Sequence, residues 1–199
     1  MVITDPDLLK GRDPVGVCRA AVRGGATMVQ VRWKDGTPAD IVKLARALVD
    51  ALPVPILVND RVDIAVAAGA AGAHLGWDDV PLQPLRLHLP VGFLLGISVG
   101  STDEAARAAT LPADYWSVGP CFTTPTKLDA GPALGRDGFA ALARLAPEKT
   151  PVIGIGGITA VNAPQIIAGG AAGVAVIGAV LSAPDPESAA LGLAAASRA

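Results

Sequence analysis

Short apolar, β-branched runs recur at regular intervals along the chain. They are "VIT" (2–4), "TMVQV" (27–31), "PILVN" (55–59), "GAHL" (72–75), "FLLGIS" (93–98), "YWSV" (115–118), "PVIGI" (151–155) and "VAVIG" (174–178). Ala-rich stretches with helical spacing lie between them. In "PADIVKLARALVDAL" (38–52), Ile41, Leu44, Leu48 and Leu52 fall near one face, which predicts an amphipathic helix. Shorter versions occupy 104–111, 138–146 and 162–170. Gly24-Gly25, Gly69 and Gly169-Gly170 are placed to stop helices. Strands buried on both faces read as continuous apolar runs, and strict alternation with helices indicates parallel βαβ units. Eight such units predict an α/β fold, a single compact (β/α)8 TIM barrel over residues 1–199. An open doubly wound sheet is the competing arrangement, and eight strands match barrel closure.

Polar residues collect at the C-terminal ends of these runs, where a barrel carries its chemistry. The second run leads into Gln30, Arg32 and Lys34, which strand alternation puts on one side. The third ends in Asn59, Asp60 and Arg61, the fourth in His74, Asp78 and Asp79, and the fifth in Ser98. The sixth runs into "GPCFTTPTKLDAG" (119–131), rich in hydroxyls and carrying Lys127. The last two end in "GIGGI" and "VIGAV". Barrel closure would gather all of these at one mouth. Arg32, Lys34 and Lys127 suit phosphate oxygens. Asp60 and Asp79, from neighbouring units, suit one shared hard cation such as Mg²⁺, which takes one or two carboxylates plus water and phosphate oxygens. Gly156-Gly157 and the Gly178 turn offer backbone N–H groups to phosphate. Each residue also has an ordinary reading. Asp60 alone reads as a helix cap, and His74 as a hydrogen-bonded core residue.

The composition removes several function classes. Net charge is −2 with no basic block, so nothing points to nucleic acid or an anionic membrane. No apolar run is long enough to cross a bilayer, and the first residues lack a signal-peptide pattern. These features lead to the expectation of a cytoplasmic protein. Cys18 and Cys121 have neither metal nor redox spacing and read as packing residues. Self-association into a homo-oligomer is left open.

The segments "GGATMVQVRWKD", "LVNDRVDIAVAAGAAGAHLGWDD", "GISVGS", "DYWSVGPCFTTPTK", "PVIGIGGI" and "GVAVIGAV" resemble, in order and over nearly the whole chain, the thiamine-phosphate synthase family, which includes thiazole tautomerases. The resemblance implies a Mg²⁺-dependent transferase. It would join a pyrimidine diphosphate to hydroxyethylthiazole phosphate, giving thiamine phosphate and pyrophosphate. It implies pyrimidine diphosphate contacts at Gln30, Arg32, Lys34, Asn59, Ser98 and Lys127, with Arg32, Lys34, Ser98 and Lys127 closest to the chemistry. It implies metal carboxylates at Asp60 and Asp79. Thiazole phosphate contacts would fall on Thr124, Pro125, Thr126, Gly157, Ile177 and Gly178. The chain departs from the family pattern at Trp33, Trp77, Gly100 and Gly178. The other readings are a thiazole tautomerase, which should carry a histidine where Gly100 stands, and a non-catalytic binder of thiamine precursors.

Overall fold

The computed structural model describes residues 1–124 and 131–198. Strands and helices alternate along the chain. In order they are β1 (Val2–Ile3), α1 (Pro6–Leu9), α2 (Pro14–Arg23), β2 (Val29–Val31), α3 (Pro38–Ala51), β3 (Ile56–Asn59), α4 (Val62–Ala68), β4 (Gly72–Leu75) and α5 (Leu82–Arg86). There follow β5 (Leu94–Val99), α6 (Thr102–Ala108), β6 (Tyr115–Val118), α7 (Gly135–Ala143), β7 (Val152–Ile155), α8 (Ala163–Ala168), β8 (Gly173–Ala175), α9 (Gly178–Leu181) and α10 (Pro186–Ala196).

The strands pair in parallel in sequence order, β1 through β8. Val2 bridges to Val176, and the Ile3 amide donates to the Val176 carbonyl at 2.9 Å, so the last strand meets the first. The barrel reading therefore stands over the open sheet.

Local chemistry explains the helices. In α3, Pro38 occupies the first turn and the Thr37 hydroxyl accepts from the Asp40 amide at 3.2 Å, satisfying an otherwise orphan donor. Its buried residues, Ile41, Leu44, Ala45 and Leu48, recur at helical spacing and close against the sheet. Gly24, Gly69 and Gly169 end α2, α4 and α8 as the sequence leads one to expect. The eighth apolar run is shorter as a strand than its pattern, because α9 starts at Gly178.

Two faces of each strand do different work. Val29, Val31, Ile56, Val58, Leu95, Ile97, Trp116 and Val118 join the core between barrel and helices. Their strand neighbours Gln30, His74, Ser98 and Tyr115 point the other way, into the lumen, where His74 of β4 meets Tyr115 of β6 across the intervening β5. Cys18 and Cys121 are buried and free; burial pushes both thiols up to about 12, as suits inert packing residues.

Candidate active site

The mouth is built from the ends of β1 to β5 and the loops of β6 to β8. Asp60 follows β3 with a left-handed backbone, φ 62°, and its amide donates to the His74 carbonyl at 2.8 Å. That hydrogen bond extends the β3–β4 ladder by one residue while turning the chain. It aims Asp60 at β4 rather than at the following helix. The N-cap of α4 is Arg61, with no side-chain cap, so the capping role for Asp60 is not realised.

Asp79 accepts from the Gly76 amide at 2.6 Å, which anchors its loop after β4. Its carboxyl hydrogen-bonds to that of Asp60, so the two acids meet as the sequence suggested. Two carboxyls in contact cannot both ionise freely. Burial first, then the Asp79 charge and hydrogen bond, raise Asp60 from 3.8 to about 6. Arg32 and Asn59 pull in the opposite direction. This donor set fits a hard divalent cation, whose charge would relieve the pair and leave positions for oxygen ligands. Among the described residues no cluster of three or more His, Cys, Asp or Glu is placed to hold a metal ion.

Arg32 reaches the mouth with its guanidinium 3.1 Å from the Asp5 carboxylate. Its backbone is pinned to β1: the Arg32 amide donates to Thr4 Oγ1 at 2.9 Å, and that hydroxyl donates to the Arg32 carbonyl at 3.1 Å. Arg32 thus pairs with Asp5 and lies close enough to Asp60 to act on its charge. Lys34 differs from expectation. β2 ends at Val31 and Lys34 lies exposed in a turn, so strand alternation no longer governs its direction. Gln30 is buried in the lumen against the Tyr115 phenol. Ser98 Oγ lies 3.0 Å from His74 Nε2, and His74 is the hydrogen-bonded lumen residue its setting indicated.

On the other side of the mouth, Gly157 has φ 63° and packs under the chain at Phe122 and Thr123, where a Cβ would lie 2.7 and 2.5 Å from their carbonyl oxygens. This contact sets the start of the β6 loop against the β7 loop. The Asn162 amide holds the Gly157 carbonyl at 2.9 Å. Thr124, Ile177 and Gly178 are half-buried. Pro125, Thr126 and Lys127 lie outside the described residues.

The family model for thiamine monophosphate synthase matches residues 1–180. The chain belongs to that family. The thiamine-phosphate synthase of Roseiflexus sp. (strain RS-1) is 46% identical over 191 residues, covering 94% of this chain and 80% of the relative. That of Albidiferax ferrireducens is 42% identical over 195 residues, covering 96% and 88%. Among solved structures, thiamine phosphate pyrophosphorylase from Pyrococcus furiosus matches with a TM-score of 0.88 at 34% identity, over 99% of this chain and 94% of that one. A 3-hexulose-6-phosphate synthase, at 18% identity and a TM-score of 0.70, shares the barrel fold.

Within the thiamine monophosphate synthase family frame, three features of this mouth escaped sequence reasoning. Asp5 pairs with Arg32 and also caps α1, accepting from the Asp7 amide at 3.2 Å. Tyr115 looks like strand filler and is a hydrogen-bonding partner in the lumen. Trp77 is clamped by Arg107, whose Cζ stands 4.2 Å from the ring centroid, and its indole N–H is buried with no partner among the described residues. The only available signal was a departure at Trp77 from the family pattern.

Proposed function

We propose that the protein is a Mg²⁺-dependent thiamine-phosphate synthase, a cytoplasmic transferase acting on two small phosphorylated heterocycles. The observation that carries this reading is the facing pair Asp60–Asp79 beside Arg32, at the mouth of a barrel of this family. Arg32 and Asn59 beside Asp60, and the Gly76 amide on Asp79, offset only part of the cost of bringing two carboxyls together, and Asp60 stays raised to about 6. Among the described residues no helix is long and apolar enough to cross a membrane.

In this reading Asp60 and Asp79 would hold Mg²⁺, which would supply charge neutralisation to the departing pyrophosphate. Arg32, Lys34 and Lys127 bind the same oxygens, and Asn59 and Ser98 orient the pyrimidine with Gln30 beneath. The bond between the pyrimidine methylene carbon and the diphosphate oxygen breaks, and pyrophosphate leaves with the electron pair. The electron-rich aminopyrimidine spreads the positive charge left on carbon. The thiazole nitrogen then gives its lone pair to that carbon, forming the C–N bond of thiamine phosphate. No protein nucleophile and no obligatory proton transfer are required. Thr124, Pro125, Thr126, Gly157, Ile177 and Gly178 hold the thiazole phosphate, so the β6 loop would align both substrates.

The test is direct. The purified protein is mixed with the two phosphorylated heterocycles, with Mg²⁺ or with EDTA, and thiamine phosphate and pyrophosphate are quantified. Equal amounts of both products, dependent on Mg²⁺, are expected. Binding of both substrates without product would favour the precursor-binding alternative and sink the synthase reading.

A further inference from the structure

Asn162 stands at the start of α8 and spends both ends of its side-chain amide on the β7 loop. Its Nδ2 donates to the Gly157 carbonyl at 2.9 Å, and its Oδ1 accepts from the Thr159 amide at 2.8 Å. A backbone carbonyl only accepts and a backbone N–H only donates, so these partners fix which end is which. Asparagine is a favoured helix cap, yet this side chain bonds none of the amides of α8. The helix itself is held tightly. Ile166 of α8 is fully buried against β7 at Gly154, where a Cβ would run into its Cγ2. Asn162 therefore grips the loop from an element locked to the strand that the loop leaves.

That grip decides where the loop's amides point. In a trans peptide the carbonyl and the following N–H lie on opposite sides of the bond. Asn162 draws the Gly157 carbonyl toward α8, so the Ile158 amide is turned away from α8. One residue earlier, the Gly156 carbonyl accepts from the Phe122 amide at 3.0 Å, which turns the Gly157 amide away from the β6 loop. Gly156 and Gly157 both have positive φ, 93° and 63°, a path suited to glycine. Among the described residues neither the Gly157 nor the Ile158 amide has an acceptor. Ile158 is buried, where an unpaired amide is costly. Two adjacent, directed amides without protein acceptors suit an anion.

We propose that Asn162 is a positioning residue for a phosphate group at this loop: by holding the Gly157 carbonyl it keeps the Ile158 amide, alongside that of Gly157, aimed at the ligand. Without that hold the Gly157–Ile158 peptide is free to rotate, because glycine tolerates many backbone angles, and the amide loses its aim. Asn162 itself does not touch the ligand. That the phosphate belongs to the thiazole rests on the proposed function; the aim of the amides does not.

Inorganic phosphate, titrated into ¹⁵N-labelled protein, is the probe, because each backbone amide reports for itself. The Gly157 and Ile158 resonances are expected to move and to saturate together. No movement of either in the parent protein overturns the inference. Asn162→Ala removes both side-chain bonds. Asn162→Asp keeps the acceptor for Thr159 and loses the donor to Gly157, and its charge adds to the loss. Both variants should need about tenfold more phosphate to move the Ile158 resonance, the worth of one hydrogen bond. A parent-like titration in Asn162→Asp would mean that only the Thr159 bond matters, against the inference, and this arm decides the case even where Asn162→Ala does not fold. In kinetics, both variants should raise KM for thiazole phosphate by about tenfold or more while KM for the pyrimidine diphosphate holds. Use of the unphosphorylated thiazole alcohol as acceptor should be unchanged. An equal loss with that alcohol would mean general damage to the loop and would overturn the positioning role. A parent protein that binds phosphate at these amides yet forms no thiamine phosphate sinks the proposed function and leaves this inference standing.

Discussion

Asp60→Asn in metal-free protein probes the carboxyl pair most sharply. A group whose folded titration is raised binds its proton more tightly in the folded state than in the unfolded one. Its stabilising contribution is complete below the unfolded value of 3.8 and is lost as pH rises through about 6. The full difference between 3.8 and about 6 corresponds to about 3 kcal/mol at neutral pH. Asp60 is crowded by neighbouring atoms yet still opens to water at the mouth, so screening removes much of this, and about 1 kcal/mol is the realistic penalty. Asparagine keeps the shape and can donate to Asp79 without titrating. In EDTA, Asp60→Asn should therefore be more stable than the parent at pH 7.5, by about 1 kcal/mol or ~2–4 °C in Tm. At pH 4.5 the advantage should shrink or vanish. Added Mg²⁺ should raise the parent's Tm and leave the variant's nearly unchanged. Melting curves at the two pH values, with EDTA or Mg²⁺, provide the measurement. If Asp60→Asn is the less stable protein at pH 7.5 in EDTA, by the same margin as at pH 4.5, the two acids are not in electrostatic conflict and the cation-site reasoning fails.

Two further outcomes are expected. Gly96→Ala forces the Tyr115 ring aside and should cost about 1–3 kcal/mol by denaturant unfolding, as overpacked sites do, with loss of the His74–Tyr115 contact; a stability within experimental error of the parent would contradict the close approach. Lys127→Ala should slow single-turnover formation of thiamine phosphate by roughly a hundredfold while donor affinity falls much less, as for a group that acts on charge developing in the transition state, and full rescue by saturating substrate would reduce Lys127 to a binding residue.

Much of the fold was legible because its signal is local. Each apolar run carries its own length and β-branching, and each helix stop carries its own glycine. The candidate site was legible only where a residue's position follows from the strand it ends. Asp60 and Asp79 leave adjacent strands in the same direction, so their meeting could be anticipated. Lys34 could not be placed, since alternation stops being a guide once β2 ends at Val31. The link from Tyr115 to Ser98 was out of reach for a different reason. It depends on a missing side chain at Gly96, and a sequence gives no sign of which two neighbours will use the space that a glycine leaves. Asp5 was hidden because one carboxylate serves both a helix start and the Arg32 guanidinium, and only the first of these has a sequence signature.

The two faces of the strands divide each one into interleaved sets of residues that answer to different demands. Val29, Val31, Val58 and Ile97 face the helices, and their side chains are separated by the strand backbone from Gln30, His74 and Ser98. Substitutions in the first set should change folding stability, and those in the second should change ligand chemistry, with combined effects close to additive. The lumen can then be recoded for a different heterocycle without renegotiating the packing that keeps the barrel closed. Gly96 marks the boundary of that freedom, because there the absence of a side chain is itself the shared resource of three strands.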